Sequence, residues 1–142
     1  MAITSQIQDD VKTALKAGDK GRVLILRGLV SELQKDAKEG PGDEQAVLRR
    51  ERKRRIEAAE AFRAGGREDL ATAEEAEAEV VSTYLPAEMG DDELRALVDQ
   101  AVTDSGAEAP KDMGSVMKLA VERAAGRADG KRISGLVRER LS

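Results

Sequence analysis

The sequence predicts an all-α protein, and three observations support that class. The chain of 142 residues contains 22 alanines and 13 leucines but one Phe, one Tyr and no Trp, a composition typical of thin, closely packed helices. Glycine and proline divide the chain into about seven segments of helical length. Apolar residues recur at steps of three and four, most clearly in the seam Val23, Leu26, Val30, Leu33 and Ala37.

Four helices are predicted before Pro86. Ser5 and Gln8 have the spacing of a capping box at the start of the first helix, and Asp19 can cap the second. The third and fourth helices run over about 43–64 and 67–85, because glycines follow the third and Pro86 cannot continue the fourth. This part of the chain therefore predicts a helical domain over residues 1–86 that includes a long antiparallel hairpin.

Three shorter helices are predicted after Pro86, with Asp91, Asp112 and Asp129 as their caps. Gly106, Pro110 and Gly126 separate these helices. The change from long to short helices places a domain boundary at about 86–90. We expect a small three-helix domain over residues 87–142.

The third and fourth helices carry charges in the middle of apolar seams. If the glycines at 65 and 66 form the turn of an antiparallel hairpin, residues equidistant from the turn lie side by side, which pairs Arg55 with Glu77. We expect this ion pair to fix the register more than it adds stability. The predicted seams are Leu48, Arg52, Arg55, Ala59 and Phe62 on the third helix and Leu70, Ala73, Glu77, Val80 and Tyr84 on the fourth.

The absence of cysteine and histidine excludes several function classes. The chain has no disulfide, no Cys-based zinc site and no serine–histidine or cysteine–histidine hydrolase machinery. We therefore expect no catalytic residue, no metal and no cofactor. Residues 1–10 lack the basic start of a signal peptide, and the longest uncharged stretches have eight residues, so we expect a cytoplasmic protein without a membrane partner.

Two basic segments are candidates for nucleic-acid binding. Residues 49–55 hold six basic side chains and one acid, but seven residues make about two turns of a helix, so the charges encircle its axis. We favour a salt-bridged, solvated helix there over an RNA site. Residues 86–110 have a net charge of −6, whereas residues 111–142 have a net charge of +4.

The C-terminal basic segment clusters around Gly126 and Gly130. Cations and exposed amides at such a loop-to-helix junction can hold a phosphate, although ordinary helix-end charge explains the pattern as well. We expect Lys118, Arg127, Lys131 and Arg132 to supply most of any binding. The full set of candidate RNA-binding residues is Lys111, Lys118, Arg123, Arg127, Lys131 and Arg132.

Four motifs occur in order along the chain: Phe-Arg-Ala-Gly-Gly-Arg-Glu-Asp-Leu at 62–70, Tyr-Leu-Pro at 84–86, Pro-Lys-Asp-Met-Gly-Ser-Val-Met at 110–117 and Gly-Arg-Ala-Asp-Gly-Lys at 126–131. Together they resemble the YqeY family over essentially the whole chain. The resemblance implies an all-helical protein of two parts. Its C-terminal half is similar to the tail domain of GatB, a subunit of the glutamine-dependent amidotransferase that converts mischarged glutamyl- or aspartyl-tRNA. Because the GatB tail approaches tRNA, the resemblance implies a tRNA-directed module.

The motif residues divide into core and polar candidates. Met113, Val116 and Met117 fall at helix-core spacing, which favours packing as their role. Gly114 is interpreted as allowing close helix contact rather than ligand binding. Lys118, which follows the third motif, and the motif residues Arg127 and Lys131 have no predicted core role.

Three functions are consistent with the sequence. The first is a non-catalytic tRNA-binding module, accessory to tRNA-dependent amidotransferase or to translation, whose partners are tRNA and a protein of one of those systems. The alternative is a helical protein–protein adaptor without nucleic-acid binding. An enzyme of the carbon–nitrogen ligase class, acting in a complex with glutamine as amido donor, ranks last because no positioned catalytic groups are found. The sequence predicts no oligomeric state.

Overall fold

The structure is a computed structural model that describes residues 2–142. These residues form seven α-helices and one short 3₁₀ turn without any strand, and 81% of the chain is helical, so the predicted all-α class is confirmed. None of the described helices is both long and apolar enough to cross a membrane. The helices are α1 (Ala2–Ala17), α2 (Lys20–Glu39), α3 (Glu44–Ala64), α4 (Glu68–Ser82), α5 (Asp91–Ser105), α6 (Met113–Ala124) and α7 (Gly130–Leu141), and the 3₁₀ turn is Pro110–Asp112.

Contacts divide the chain into two compact units, Met1–Leu85 and Pro86–Ser142. The division falls at the Leu85–Pro86 bond, where proline follows the last turn after α4. Each unit has its own apolar core. The core of the N-terminal unit is built from Ile7, Leu26, Leu29, Leu33, Val47, Leu48 and Val81.

The α2 seam differs from its prediction at two positions. Val23, Leu26 and Leu33 are buried as expected, but Leu29 is buried more completely than Val30, and Ala37 is exposed. Since α2 has 20 residues against 16 in α1, its last turn extends beyond the helix that pairs with it. Asp19 caps α2 as predicted, accepting a hydrogen bond from the Arg22 amide at 3.1 Å.

The start of α1 is capped by a distant carboxylate and not by Ser5. The helix begins at Ala2, so the predicted capping box at Ser5 is wrong. Glu44, at the start of α3, accepts hydrogen bonds from the Thr4 amide at 2.8 Å and the Thr4 hydroxyl at 2.7 Å, and a longer one from the Ile3 amide. Burial raises the pKa of Glu44, but these hydrogen bonds outweigh it and hold the pKa below its ordinary value.

The α3–α4 hairpin packs through small residues. Ala59 of α3 is buried as predicted, whereas the buried stripe of α4 is Ala71, Ala78 and Val81, one position along from the predicted seam, and Ala73 is exposed. Alanine side chains let the two backbones approach closely, so a narrow alanine stripe fills the contact and Leu70 lies at its margin. At the turn, Arg63 donates to Glu68 at 2.9 Å and also contacts Glu75.

The Tyr-Leu-Pro motif ties the end of α4 to α1. The Tyr84 hydroxyl donates a hydrogen bond to Asp10, and the half-buried ring packs against the N-terminal core. Burial, together with the negative charge of Asp10, raises the pKa of the Tyr84 hydroxyl to about 12. The only tyrosine of the chain therefore has a structural role in the N-terminal unit.

The C-terminal unit is a three-helix bundle of α5, α6 and α7. Its core includes Met89 as well as side chains from all three helices. Val116 is fully buried, and Met113 and Met117 pack against this core, as their spacing predicted. Gly114 is exposed, and a Cβ atom there would meet nothing within 4 Å, so its interpretation as a close-contact glycine is wrong.

One of the three predicted caps in this unit has the expected geometry. Asp129 caps α7 by accepting from the Arg132 amide at 2.8 Å. Asp91 is instead the first residue of α5, preceded by Gly90. The carboxylate of Asp112 accepts from the Glu108 and Ala109 amides at 3.0 and 3.1 Å, because the 3₁₀ turn before α6 places it beneath the preceding loop.

Candidate nucleic-acid interface

The hairpin basic segment, residues 49–55, is paired within the N-terminal unit. None of its six basic side chains lacks a partner. Arg50 faces Asp36 at 3.8 Å, Lys53 faces Glu57 at 4.0 Å, and Arg54 contacts Glu51 at 2.9 Å. The dense positive charge of the sequence is therefore largely compensated in the fold.

Arg55 is the centre of an ion cluster in the hairpin seam. Its Nη1 atom donates to Glu77 Oε2 at 2.8 Å, which is the pair that the hairpin geometry predicted. Glu51 and Glu74 lie at 3.8 and 3.9 Å from the same guanidinium and were not anticipated. Burial raises the pKa of Glu77 above its ordinary value despite the Arg55 charge, and the nearby Glu74 adds to the rise. One arginine thus holds three carboxylates together.

Arg127 fastens the segment before α5 to the α6–α7 turn. Its Nε atom donates to the Ala87 carbonyl at 2.8 Å, and its two terminal nitrogens donate to the Glu93 carboxylate at 3.0 and 3.3 Å. The Met89 amide donates back to the Arg127 carbonyl at 2.8 Å. A guanidinium with these partners stabilises the unit, and its charge is compensated locally.

Arg132 and Arg123 are also paired. Arg132 donates to the Met89 carbonyl at 3.1 Å and to Asp91 at 3.0 Å. Arg123 lies 2.6 Å from Asp104. Of the six candidate residues, the structure therefore places the three arginines in intramolecular contacts.

The three candidate lysines differ from the arginines. Lys111, Lys118 and Lys131, the unpaired lysines, have exposed side chains that form no hydrogen bond or ion pair with any residue in 2–142. The same holds for Arg95 of α5 and Arg138 of α7. The C-terminal unit thus presents five uncompensated positive charges to solvent, and such charges attract polyanions.

A shallow cleft of about 260 Å³ lies between α5 and α7, and half of its lining residues are basic. The lining contains three basic side chains and one acidic side chain, which gives a net charge of +2. Within the described chain, no group of acidic residues is arranged to hold a metal ion. The lining residues are Asp91, Arg95, Lys131, Arg132, Gly135 and Leu136.

Comparison of the sequence with known protein families gives a match. The family model described as Yqey-like protein matches residues 4–141. The chain belongs to the YqeY family. The family resemblance carried by the four motifs is confirmed over essentially the whole length of the chain. No curated protein sequence gives a significant match to this YqeY-family chain.

Sequence reasoning missed Arg95 and Arg138 as available charges of this YqeY-family protein. Arg95 is the one basic residue in an otherwise acidic stretch, 86–110, so the net charge of that stretch concealed it. Its i−4 and i+4 neighbours are Asp91 and Asp99, a spacing that suggests pairing along the helix. Both aspartates instead pair with arginines of α7, at 3.0 and 3.2 Å.

Proposed function

We propose that this YqeY-family protein is a non-catalytic tRNA-binding module that serves tRNA-dependent amidotransferase or translation. The observation that supports it is the set of five uncompensated basic side chains on the C-terminal unit, whose other four basic side chains are paired with acids. The resemblance of residues 110–131 to the GatB tail supports tRNA as the class of RNA.

The chemistry of these side chains favours contact with phosphates over reading of bases. Lysine ammonium groups act as mobile point charges toward phosphate oxygens. Base recognition in single strands uses aromatic stacking, and the chain has one Phe and one Tyr, of which Tyr84 is tied into the N-terminal unit. A folded RNA that is recognised by shape and backbone suits such a surface.

A filter-binding assay with total tRNA at about 50 and 200 mM salt tests this function directly. Each lysine–phosphate contact releases roughly one counterion, so three to five contacts predict a slope of log K against log salt of about −2 to −4. Replacement of Lys111 and Lys118 by Gln should reduce the slope by about 1.5, with unchanged helicity because both side chains are exposed. Absence of salt-dependent binding by the wild-type chain at low ionic strength would contradict the proposal.

A helical adaptor is the second candidate, and exposed leucines favour it. Leu24 is 72% exposed and Leu15 is 52% exposed, on the two helices that flank the turn at Gly18. Co-purification from lysate with and without RNase separates the two functions. Partners that survive RNase and are lost on Leu24→Gln substitution support the adaptor, whereas material that is lost on RNase treatment supports the tRNA-binding module.

A further inference from the structure

Helices α5 and α7 run parallel and are joined by two ion pairs of identical register. Asp91 pairs with Arg132 at 3.0 Å, and Asp99 pairs with Arg140 at 3.2 Å. Each pair joins an acid of α5 to an arginine of α7, with the same offset in residue number. A third pair in this register would lie midway between them.

At this midway position, α5 carries a basic residue instead of an aspartate. The α5 residue there is Arg95, four residues from each aspartate, and the α7 residue in register with it is Leu136. Leu136 packs against the core of the unit and offers no charge. Since both neighbouring aspartates are paired across to α7, Arg95 remains without a counterion within residues 2–142.

The other residues that line the cleft add a second unpaired cation and leave open space beside Arg95. Lys131 lines it from the first turn of α7 and is also unpaired, whereas Arg132 is held by Asp91 and the Met89 carbonyl. Gly135 lines it too, although a Cβ atom there would meet nothing within 4 Å, so packing does not require a glycine. A glycine inside a helix costs conformational entropy, and here it leaves the cleft open beside two uncompensated cations.

We propose that the α5–α7 cleft binds a single phosphate group of the RNA backbone, with Arg95 and Lys131 as its ligands. The site rests on the proposed tRNA-binding function and adds Arg95 and Gly135 to it. The guanidinium of Arg95 can hold two phosphate oxygens at once, and the Lys131 ammonium neutralises the remaining charge. The cleft volume of about 260 Å³ is several times the ~30 Å³ that one water molecule occupies in the liquid, which leaves room for a phosphate.

Two variants alter the cleft, and a third variant provides a matched control. Gly135→Glu places a carboxylate beside Arg95 and supplies the missing acid without removing any existing contact. Arg95→Gln combined with Lys131→Gln removes both ligands. Gly28→Glu makes the same chemical change on an exposed face of α2, where a Cβ atom also meets nothing.

The first measurement is a titration of the ¹⁵N-labelled full chain with inorganic phosphate at constant ionic strength, followed through backbone amide shifts. We expect saturable shifts at the amides of Arg95, Lys131 and Gly135 in the wild type and in Gly28→Glu. In Gly135→Glu and in the Arg95→Gln/Lys131→Gln chain, the apparent affinity for phosphate should fall at least tenfold. Absence of saturable shifts at the cleft in the wild type would overturn the site.

The second measurement is tRNA binding by the same variants as a function of salt. Loss of Arg95 and Lys131 should reduce the slope of log K against log salt by about 1.5. If the wild type binds tRNA and this variant keeps both affinity and slope, the cleft is excluded while the proposed function stands. If phosphate saturates the cleft but the wild type binds no tRNA, the assignment to RNA fails together with the proposed function.

Discussion

The basic side chains of residues 49–55 and those of the C-terminal unit differ in how many of them have a partner in the fold. Residues 49–55 hold six basic side chains within seven positions, and none of the six is without a partner. The C-terminal unit spreads nine basic side chains over residues 86–142, and five of them are unpaired within the described chain. The denser segment is therefore the less available one.

The cause of this difference lies in the acids within reach of each basic side chain, on its own helix or on a neighbouring one. Within α3 itself, Glu51 contacts Arg54 and Glu57 faces Lys53. Asp36 of α2 faces Arg50, and Glu74 and Glu77 of α4 contact Arg55. In the C-terminal unit, four of the six arginines contact acids, while Arg95, Arg138 and the three lysines are exposed and unpaired. The density of charge in a sequence thus does not predict the charge available for binding, because the partners within reach of each side chain decide it.

The largest predicted effect tests whether Arg55 holds the hairpin seam. Arg55→Met removes the only guanidinium that contacts Glu74 and Glu77 in the described chain and leaves three partly buried carboxylates close together. We expect the free energy of unfolding to fall by about 2–3 kcal/mol in urea denaturation followed by circular dichroism. Arg50→Met is the control, because the Arg50 side chain is 63% exposed and its 3.8 Å contact with Asp36 is long, so the change should cost less than about 0.5 kcal/mol. Equal effects of the two variants would contradict the cluster.

A smaller loss of stability is expected when Arg127 is removed from the C-terminal unit. Arg127→Ala breaks the hydrogen bonds to the Ala87 carbonyl and to Glu93 and should cost about 1–2 kcal/mol in thermal unfolding. Lys118→Ala, a change at an exposed unpaired residue of the same unit, should stay within about 0.5 kcal/mol of the wild type. If Lys118→Ala destabilises as much as Arg127→Ala, the assignment of Arg127 as paired and Lys118 as unpaired is wrong.

Two glutamates should give opposite dependences of stability on pH. The pKa of Glu44 is lowered in the fold from its unfolded value of 4.5. The stability that Glu44 contributes is therefore present above pH 4.5 and is lost as the pH falls through the folded pKa. Glu44→Ala should therefore cost about 1 kcal/mol at neutral pH and clearly less near pH 3.

The pKa of Glu77 is raised, so the folded state binds its proton first and the wild type loses stability as pH rises from 4.5 through the folded value. Glu77→Gln should remove that loss. Urea titrations across pH 3–7 measure both trends, and parallel pH profiles for the two variants would contradict the assignments.

The smallest predicted effect concerns the exposed face of α6 that carries Gly114 and Lys118. Gly114→Ala adds a methyl group in open space and should stabilise the protein by about 0.5 kcal/mol. A loss of stability in thermal unfolding would show that this face packs against another surface. Unchanged tRNA binding by the same variant would show that the glycine itself contributes nothing to the lysine surface.

Local rules allowed part of this fold to be predicted. Asp19 and Asp129 cap their helices because an N-cap depends on residues within one turn. The Arg55–Glu77 pair could be predicted because a tight hairpin turn fixes which residues are equidistant from it. Helix α4 shows the limit, since two alternative stripes satisfy the helical period and only the close approach of α3 selects the alanines.

The remaining features depend on contacts between residues far apart in sequence. Glu44 caps α1 from 40 positions away, and Arg127 reaches Ala87 from the same distance in sequence. Neither contact leaves a periodic signal in the sequence, so the partners of Arg127 could not be predicted from it. The unpaired state of Arg95 likewise follows from the register of α5 against α7 and not from its own neighbours.

The most direct test of the central claim compares the salt dependence of tRNA binding in three full-length chains. One is the wild type, one carries Lys111→Gln, Lys118→Gln and Lys131→Gln, and one carries Arg49→Gln, Arg50→Gln and Lys53→Gln, so both variants lose three positive charges. We expect the C-terminal variant to flatten the slope of log K against log salt by about 2 and to bind weakly. The hairpin variant should keep the wild-type slope. Loss of binding in the hairpin variant, with wild-type binding in the C-terminal variant, would contradict the account.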